Sequence, residues 1–278
     1  VLTGVSKTAL GVATVRARES ERPDRLFDDP LAQRFLDAAP GAFPAQGPAS
    51  GLGAIFHHHA VLRTRFFDEY LRATSNPQVV LLAAGLDTRA FRLDWRGVTL
   101  YELDLPELHA FKNAVLATET PRCDRRPVPT DLRTDWARDL EAAGFDRTAP
   151  TAWLAEGLLV YLDATEATNL LSTVHELSAA ESTIAFERGI ASEDLLRTTR
   201  DMPRLREYTA LWKGGTDTRQ WLTEHGWTTR AHDGRELAER WGRAVPDGAA
   251  GGFVTATNGE GAASARRRPP GPKTPSPQ

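Results

Sequence analysis

The chain has 278 residues, 41% hydrophobic and 26% charged, the proportions of a soluble globular protein, and a formal net charge of −3. That length buries one sizeable core, so one α/β domain with a helical addition is expected ahead of two small domains. The near-balanced charge argues against nucleic acid or an anionic membrane as partner, and Cys123, the only cysteine, excludes an intramolecular disulfide or a cysteine-built metal site.

Residues 1–75 read as helical. Over 8–21 apolar residues recur at Leu10, Val12, Ala13 and Ala17, and Pro23 ends the run. Asp29-Pro30 reads as an N-cap with proline at the first helical position, for a helix reaching about Asp37. A longer helix is expected over 52–73. From Pro77 the texture changes to short apolar strands over 79–83, 98–103, 126–129 (weak), 152–155 and 182–186. Helical stretches near 88–93, 106–118, 134–142 and 165–179 separate them, which predicts a parallel sheet with right-handed crossovers. After Glu187 a polar helical run to about Trp212 reads as an insertion. A short helix over 218–225 follows, then strands over 227–231 and 253–257 around a helix over 235–241. The expected division is therefore a helical lid over 1–75 and an α/β domain over 76–258 with its insertion at about 188–212. A disordered tail, rich in Pro, Arg, Gly and Ser, is expected over 259–278. With no leader pattern and no apolar run long enough to span a bilayer, the expected compartment is the cytoplasm.

Four clusters at strand ends carry the chemistry. The first is Leu82-Ala83-Ala84-Gly85-Leu86-Asp87-Thr88-Arg89, where a doubly wound sheet binds its cofactor. As a dinucleotide fingerprint it fails, because Ala83, Gly85 and Thr88 occupy the three glycine positions. Asp87 at the helix start would take the amides a pyrophosphate needs and repel its charge. An acidic turn instead suits S-adenosylmethionine, which has no phosphate and carries a sulfonium and an ammonium. The second cluster is Tyr101-Glu102-Leu103-Asp104, whose two acids share one strand face and are candidates for the ribose hydroxyls. The third is Asp131-Leu132-Arg133, where Asp131 can accept from an adenine amine and Leu132 can pack on its ring. The fourth is Glu156-Gly157-Leu158 with Tyr161 close behind, which sets Glu156 near the cofactor's ammonium.

Together with Thr8-Ala9-Leu10, Arg16-Ala17-Arg18-Glu19, Asp29-Pro30-Leu31-Ala32 and Arg63-Thr64-Arg65-Phe66-Phe67-Asp68, these motifs occur in an order that resembles the leucine carboxyl methyltransferase family. The likeness is strongest to the family's actinobacterial branch and covers about residues 3–257. The resemblance implies a Rossmann-like class I methyltransferase fold: a seven-stranded, mostly parallel sheet with an N-terminal helical lid and a helical insertion after the fifth strand. It implies that Arg63, with Arg65 as the alternative, holds the cofactor's carboxylate. Ala83, Ala84 and Gly85 would line its methionine portion, Asp104 would hold the ribose, Asp131 and Leu132 the adenine, and Glu156 would face the ammonium. Arg133 would anchor a substrate carboxylate and Tyr161 would line the acceptor pocket. Ala83 departs from the eukaryotic branch, which has glycine there.

The expected activity is O-methylation of a small-molecule or peptide acceptor, a carboxylate ahead of a phenol or other hydroxyl. A nicotinamide-dependent oxidoreductase and a non-catalytic S-adenosylmethionine-binding protein are the alternatives of other classes. A carboxylate needs no base at neutral pH, whereas a phenol, with a pKa near ~10, does. The candidate bases are His57, His58, His59 and His109, and none is assigned. No metal is expected.

Overall fold

The computed structural model describes residues 5–41, 51–95, 97–188 and 218–259. Within them the helices are α1 (Val5–Ser20), α2 (Ala32–Ala38), α3 (Leu52–Ala73), α4 (Arg89–Arg92), α5 (Pro106–Val115), α6 (Trp136–Ala142), α7 (Ala164–Leu177), α8 (Thr218–Glu224) and α9 (Gly234–Arg240). The strands are β1 (Gln78–Leu82), β2 (Thr99–Asp104), β3 (Asp124–Pro129), β4 (Thr151–Ala155), β5 (Thr183–Arg188), β6 (Trp227–Asp233) and β7 (Gly252–Asn258).

The strands form one sheet in the order β3-β2-β1-β4-β5-β7-β6. Neighbours from β3 to β5 pair in parallel, and β7 runs antiparallel between β5 and β6. β1 and β4 lie at the centre and are buried at every position, which is why they read as unbroken apolar runs. Alternation then divides them between two cores. Val79, Leu81, Ala152 and Leu154 face α1, α2, α3, α4, α5 and α9. Val80, Leu82, Trp153 and Ala155 face α6, α7 and α8. Trp153 is fully buried, and its indole N–H donates to Ser178 Oγ at 3.0 Å, so no polar atom is stranded there.

β3 is an edge strand and tolerates Pro127 and Pro129, whose missing N–H groups no neighbour requires. It begins two residues before the expected 126, because Arg125 there is charged yet folded inward onto Glu102. α7 opens with a capping box, Asp163 accepting from Glu166 N–H while Glu166 reaches back to the Asp163 N–H.

Asp29 is a correction. It does not cap a helix with its side chain, since α2 starts at Ala32 without a side-chain cap. Its fully buried carboxylate is drawn to charge instead: Oδ2 accepts from Arg16 Nε at 2.8 Å and Thr88 Oγ1 at 2.7 Å. Arg16 Nη2 also donates to the Leu86 carbonyl at 2.6 Å, tying α1 to the turn after β1. β5 continues through Arg188, and the rest of the expected insertion at 188–212 lies outside the described residues, as does the tail beyond 259.

Candidate functional site at the carboxyl rim of the sheet

The carboxyl ends of β1, β2, β3 and β4 lie side by side, so the segments that follow them meet at one rim. After β1 the backbone turns through Ala83 (φ 56°) and Gly85 (φ 53°), both left-handed. Glycine adopts this freely, but alanine does so at about 1–2 kcal/mol. The surroundings hold it: the Ala84 N–H donates to the Leu103 carbonyl at 2.9 Å and the Asp87 N–H to the Ala84 carbonyl at 3.0 Å. Asp104 secures the same turn, Oδ2 accepting from Gly85 N–H at 2.6 Å and Oδ1 from Leu105 N–H at 2.7 Å. Burial nevertheless pushes the Asp104 carboxyl above its ordinary value. A Cβ on Gly85 would lie 3.8 Å from Ala9 Cβ, so α1 sits directly over the turn.

Beside the turn runs a chain of buried ion pairs. Arg63 donates from Nε to Glu156 Oε1 at 2.9 Å and from Nη1 to Glu187 Oε1 at 2.8 Å. Arg89 donates from Nη1 to Glu156 Oε2 at 2.7 Å and to Asp87, and from Nε to Asp68 Oδ1 at 2.7 Å. Arg92 closes the chain on Asp68, with Nη2 2.7 Å from Oδ1. Burial alone would raise the Asp87 and Asp68 carboxyls, but the arginines outweigh it, holding Asp87 below its ordinary value and Asp68 down to about 2. At Glu187 burial wins and the nearby Glu156 adds to it, so that carboxyl is raised. The Gly157 N–H reaches both Glu187 oxygens at 2.8 Å, with φ 66°. A Cβ there would stand 3.3 Å from Arg63 Nη1. Three arginines thus meet the four carboxylates of Asp68, Asp87, Glu156 and Glu187, a surplus of one negative charge when all are ionised. That surplus suits the sulfonium and ammonium of S-adenosylmethionine and opposes a pyrophosphate.

The structure brings Arg63, Ala83, Ala84, Gly85, Asp87, Asp104 and Glu156 to this region. Glu102 is a correction. It shares the strand face of Asp104 but lies one step below the rim, 0% exposed, in an ion pair with Lys112 at 2.9 Å and Arg125 at 2.7 Å. Two cations hold its carboxyl below the ordinary value against burial, so its charge is taken up beneath the rim and not offered at it. Asp131 follows Thr130, whose N–H donates to the Asp104 carbonyl at 2.8 Å, so it stands at the β3 end of the rim. Its carboxylate is held low by Arg133, which donates to Oδ1 from Nε at 2.9 Å and to Oδ2 from Nη2 at 2.5 Å. Leu132 packs partly buried against the second core. Tyr161, half-buried on a single 3-10 turn, is close enough to Arg63 to act on its charge. Asp68, Arg89 and Glu187 were not foreseen as site residues. The available signal was charge inside otherwise apolar segments, because such residues are buried only when paired.

The candidate bases are all weakened by burial, His57 and His58 in part and His59 and His109 strongly. Burial, then the Arg63 charge, lowers His59 to about 3, and its ring stacks on Phe253 at 5.5 Å. Burial lowers His109 to about 4. A histidine kept neutral in the fold protonates more readily when unfolded, so it stabilises fully above pH ~6.5, and that contribution is lost as pH falls towards its folded value. His59→Phe keeps the ring contact and removes the titration. Its stability is expected to fall less than that of the wild type between about pH 6.5 and 4, measured by urea unfolding. Parallel curves for the two proteins would contradict this.

A doubly wound sheet closed by one antiparallel strand, with a glycine turn after β1 and an acid-rich rim, has the form of a nucleoside-binding α/β enzyme and fits S-adenosylmethionine better than a dinucleotide. The family model for leucine carboxyl methyltransferase matches residues 9–175. A protein of Parafrankia sp. named as an S-adenosyl-L-methionine-dependent methyltransferase is 48% identical over 275 residues, covering 93% of this chain and 88% of its own. Proteins of the same name from Saccharopolyspora erythraea (43% identical, 92% and 96% covered) and Rhodococcus jostii (42%, 89% and 90%) align as fully. A crystallised protein from Bordetella parapertussis shares the fold with a TM-score of 0.52 at 16% identity, covering 92% of this chain and 97% of its own. The chain belongs to the leucine carboxyl methyltransferase family, and its cofactor is S-adenosylmethionine. Among the described residues no helix is long and apolar enough to cross a membrane.

Proposed function

We propose that the protein methylates an oxygen of a small-molecule or peptide acceptor, a carboxylate in the first instance. The observation that carries this is the weak basicity of the candidate histidines: burial lowers all four, His59 to about 3 and His109 to about 4, and these two are buried away from solvent, so each is a poorer proton acceptor than a free imidazole. A carboxylate is already ionised near neutral pH and needs no base.

In this reading Arg63 and Glu156 receive the cofactor's carboxylate and ammonium, Asp104 its ribose, and Asp131 with Leu132 its adenine. Ala83, Ala84 and Gly85 let the backbone approach its methionine portion. When bound there, S-adenosylmethionine supplies a methyl carbon on a cationic sulfur that leaves as a neutral thioether. A carboxylate acceptor would take that methyl group without giving up a proton, so no residue of this chain would have to act as a base. The protein's part is alignment and exclusion of water. α1 to α3 serve as the lid: Ala9 already covers Gly85, and Arg16 holds the Leu86 carbonyl. Arg133, whose side chain is 67% exposed, is placed to exchange Asp131 for the acceptor's carboxylate, and Tyr161 lines the acceptor side.

The test uses S-adenosylmethionine with a labelled methyl group and a panel of carboxylic acids, C-terminal peptides and phenols. Label transferred to a carboxylate is a methyl ester, which mild alkali releases as volatile methanol. Product label that survives alkali is an ether and would move the assignment to a phenol or other hydroxyl.

A further inference from the structure

Glu187 ends β5 beside β4 and touches two parts of the site at once. Both its oxygens accept the Gly157 N–H at 2.8 Å, and Oε1 also takes Arg63 Nη1 at 2.8 Å. Its side chain is 12% exposed, so these contacts are sheltered from solvent. Glu156, on the other side of Arg63, makes no contact with the Gly157 N–H among these hydrogen bonds. Glu187 alone therefore joins the guanidinium to the turn that carries Glu156.

We propose that Glu187 is a positioning residue for the amino-acid end of S-adenosylmethionine. It fixes the Arg63 guanidinium against the Glu156-Gly157 turn and supplies the carboxylate by which the cluster's negative charge exceeds its positive. The inference rests on the reading that Arg63 and Glu156 receive that end of the cofactor. Two physical arguments support it. First, an arginine head group has a planar fork, and holding it from two sides fixes its direction in a way one carboxylate does not. Second, without Glu187 the remaining Asp68, Asp87 and Glu156 only balance Arg63, Arg89 and Arg92, so the ion-pair chain loses the one negative charge by which it favours a cationic ligand.

The same geometry makes the effect depend on pH. The charges acting on Glu187 are Arg63 from α3 and Glu156 from the end of β4. Tyr161 lies near Arg63, His59 one turn earlier on α3 stays neutral to about 3, and Arg188 next along β5 is exposed. Burial raises the Glu187 carboxyl, so it takes up its proton above the pH at which a free glutamate would, and the surplus charge then disappears.

The experiment is calorimetric binding with two probes on the full chain. One is S-adenosylmethionine; the other is 5′-methylthioadenosine, which shares the nucleoside and sulfur but lacks the amino-acid end. Glu187→Gln, which keeps size and one acceptor oxygen, is expected to weaken S-adenosylmethionine by roughly 10-fold and 5′-methylthioadenosine by less than about 2-fold. Wild-type affinity for S-adenosylmethionine is expected to start falling, as pH is lowered, above the range in which a free glutamate takes up its proton, and that of Glu187→Gln to stay nearly flat over the same range. Glu187→Asp, which restores the charge, should recover the pH dependence. Equal weakening of both probes would show a merely structural role, and unchanged affinity would remove Glu187 from the site; either overturns the proposal. Failure of the underlying reading looks different: Arg63→Ala would then leave S-adenosylmethionine binding intact.

Discussion

Replacing Arg89 by alanine is expected to lower stability by about 3–5 kcal/mol, because it strips one cation from several buried carboxylates. Arg89 is 2% exposed and serves Asp68, Asp87 and Glu156 together. Truncation does not merely delete favourable contacts. It leaves Asp87 and one oxygen of Glu156 facing each other in a sheltered site, with Asp68 supported only by Arg92. Arg89→Lys keeps the charge but not the fork, whose Nη1 serves Asp87 and Glu156 while Nε serves Asp68, so it should recover only part of the loss. Urea unfolding at neutral pH measures the difference. A loss under about 1 kcal/mol would mean that the cluster is hydrated well enough to do without its central arginine. The same cluster sets an acid limit. Asp68, held at about 2, contributes stability that is complete above its unfolded value near ~4 and is lost as pH falls through about 2.

The second large effect is on cofactor affinity. Asp104→Ala is expected to weaken S-adenosylmethionine by about 10²–10³-fold, the scale of two charge-assisted hydrogen bonds to a ribose. The variant should still fold, with a stability loss of roughly 1–2 kcal/mol because the Gly85 and Leu105 N–H groups lose their acceptor. Asp104→Asn, which keeps one oxygen for Gly85, separates the two contributions: it should restore most of the stability and little of the affinity. Calorimetry with S-adenosylmethionine and thermal melting without it give both numbers. An unchanged affinity would place the ribose elsewhere.

The contrast between Asp104 and Glu102 shows how far strand period carries a site assignment. The two residues lie two apart, and period alone puts both on one face. What separates them is height on the sheet: Asp104 is the last residue of β2, whereas Glu102 pairs in register with Leu81 and Pro127 inside it. At that depth a carboxylate must find cations, and Lys112 and Arg125 are those cations. Asp29 failed as a predicted cap for a related reason. A short acid before proline has the chemistry of an N-cap, but Arg16 lies 13 residues away and competes for it only once α1 has packed.

The amino-acid sequence by itself determined the alternation of strands and helices, the glycine turn after β1, the acidic character of the rim and the family, because apolar period and turn chemistry are local properties of the chain. Only the tertiary structure decided which charges reach the rim and which are consumed beneath it, that Arg63 stands between Glu156 and Glu187, and that α1 covers Gly85. Those outcomes depend on partners far apart in sequence, 93 residues for Arg63 and Glu156 and 124 for Arg63 and Glu187, whose desolvation is offset only when folding brings them together.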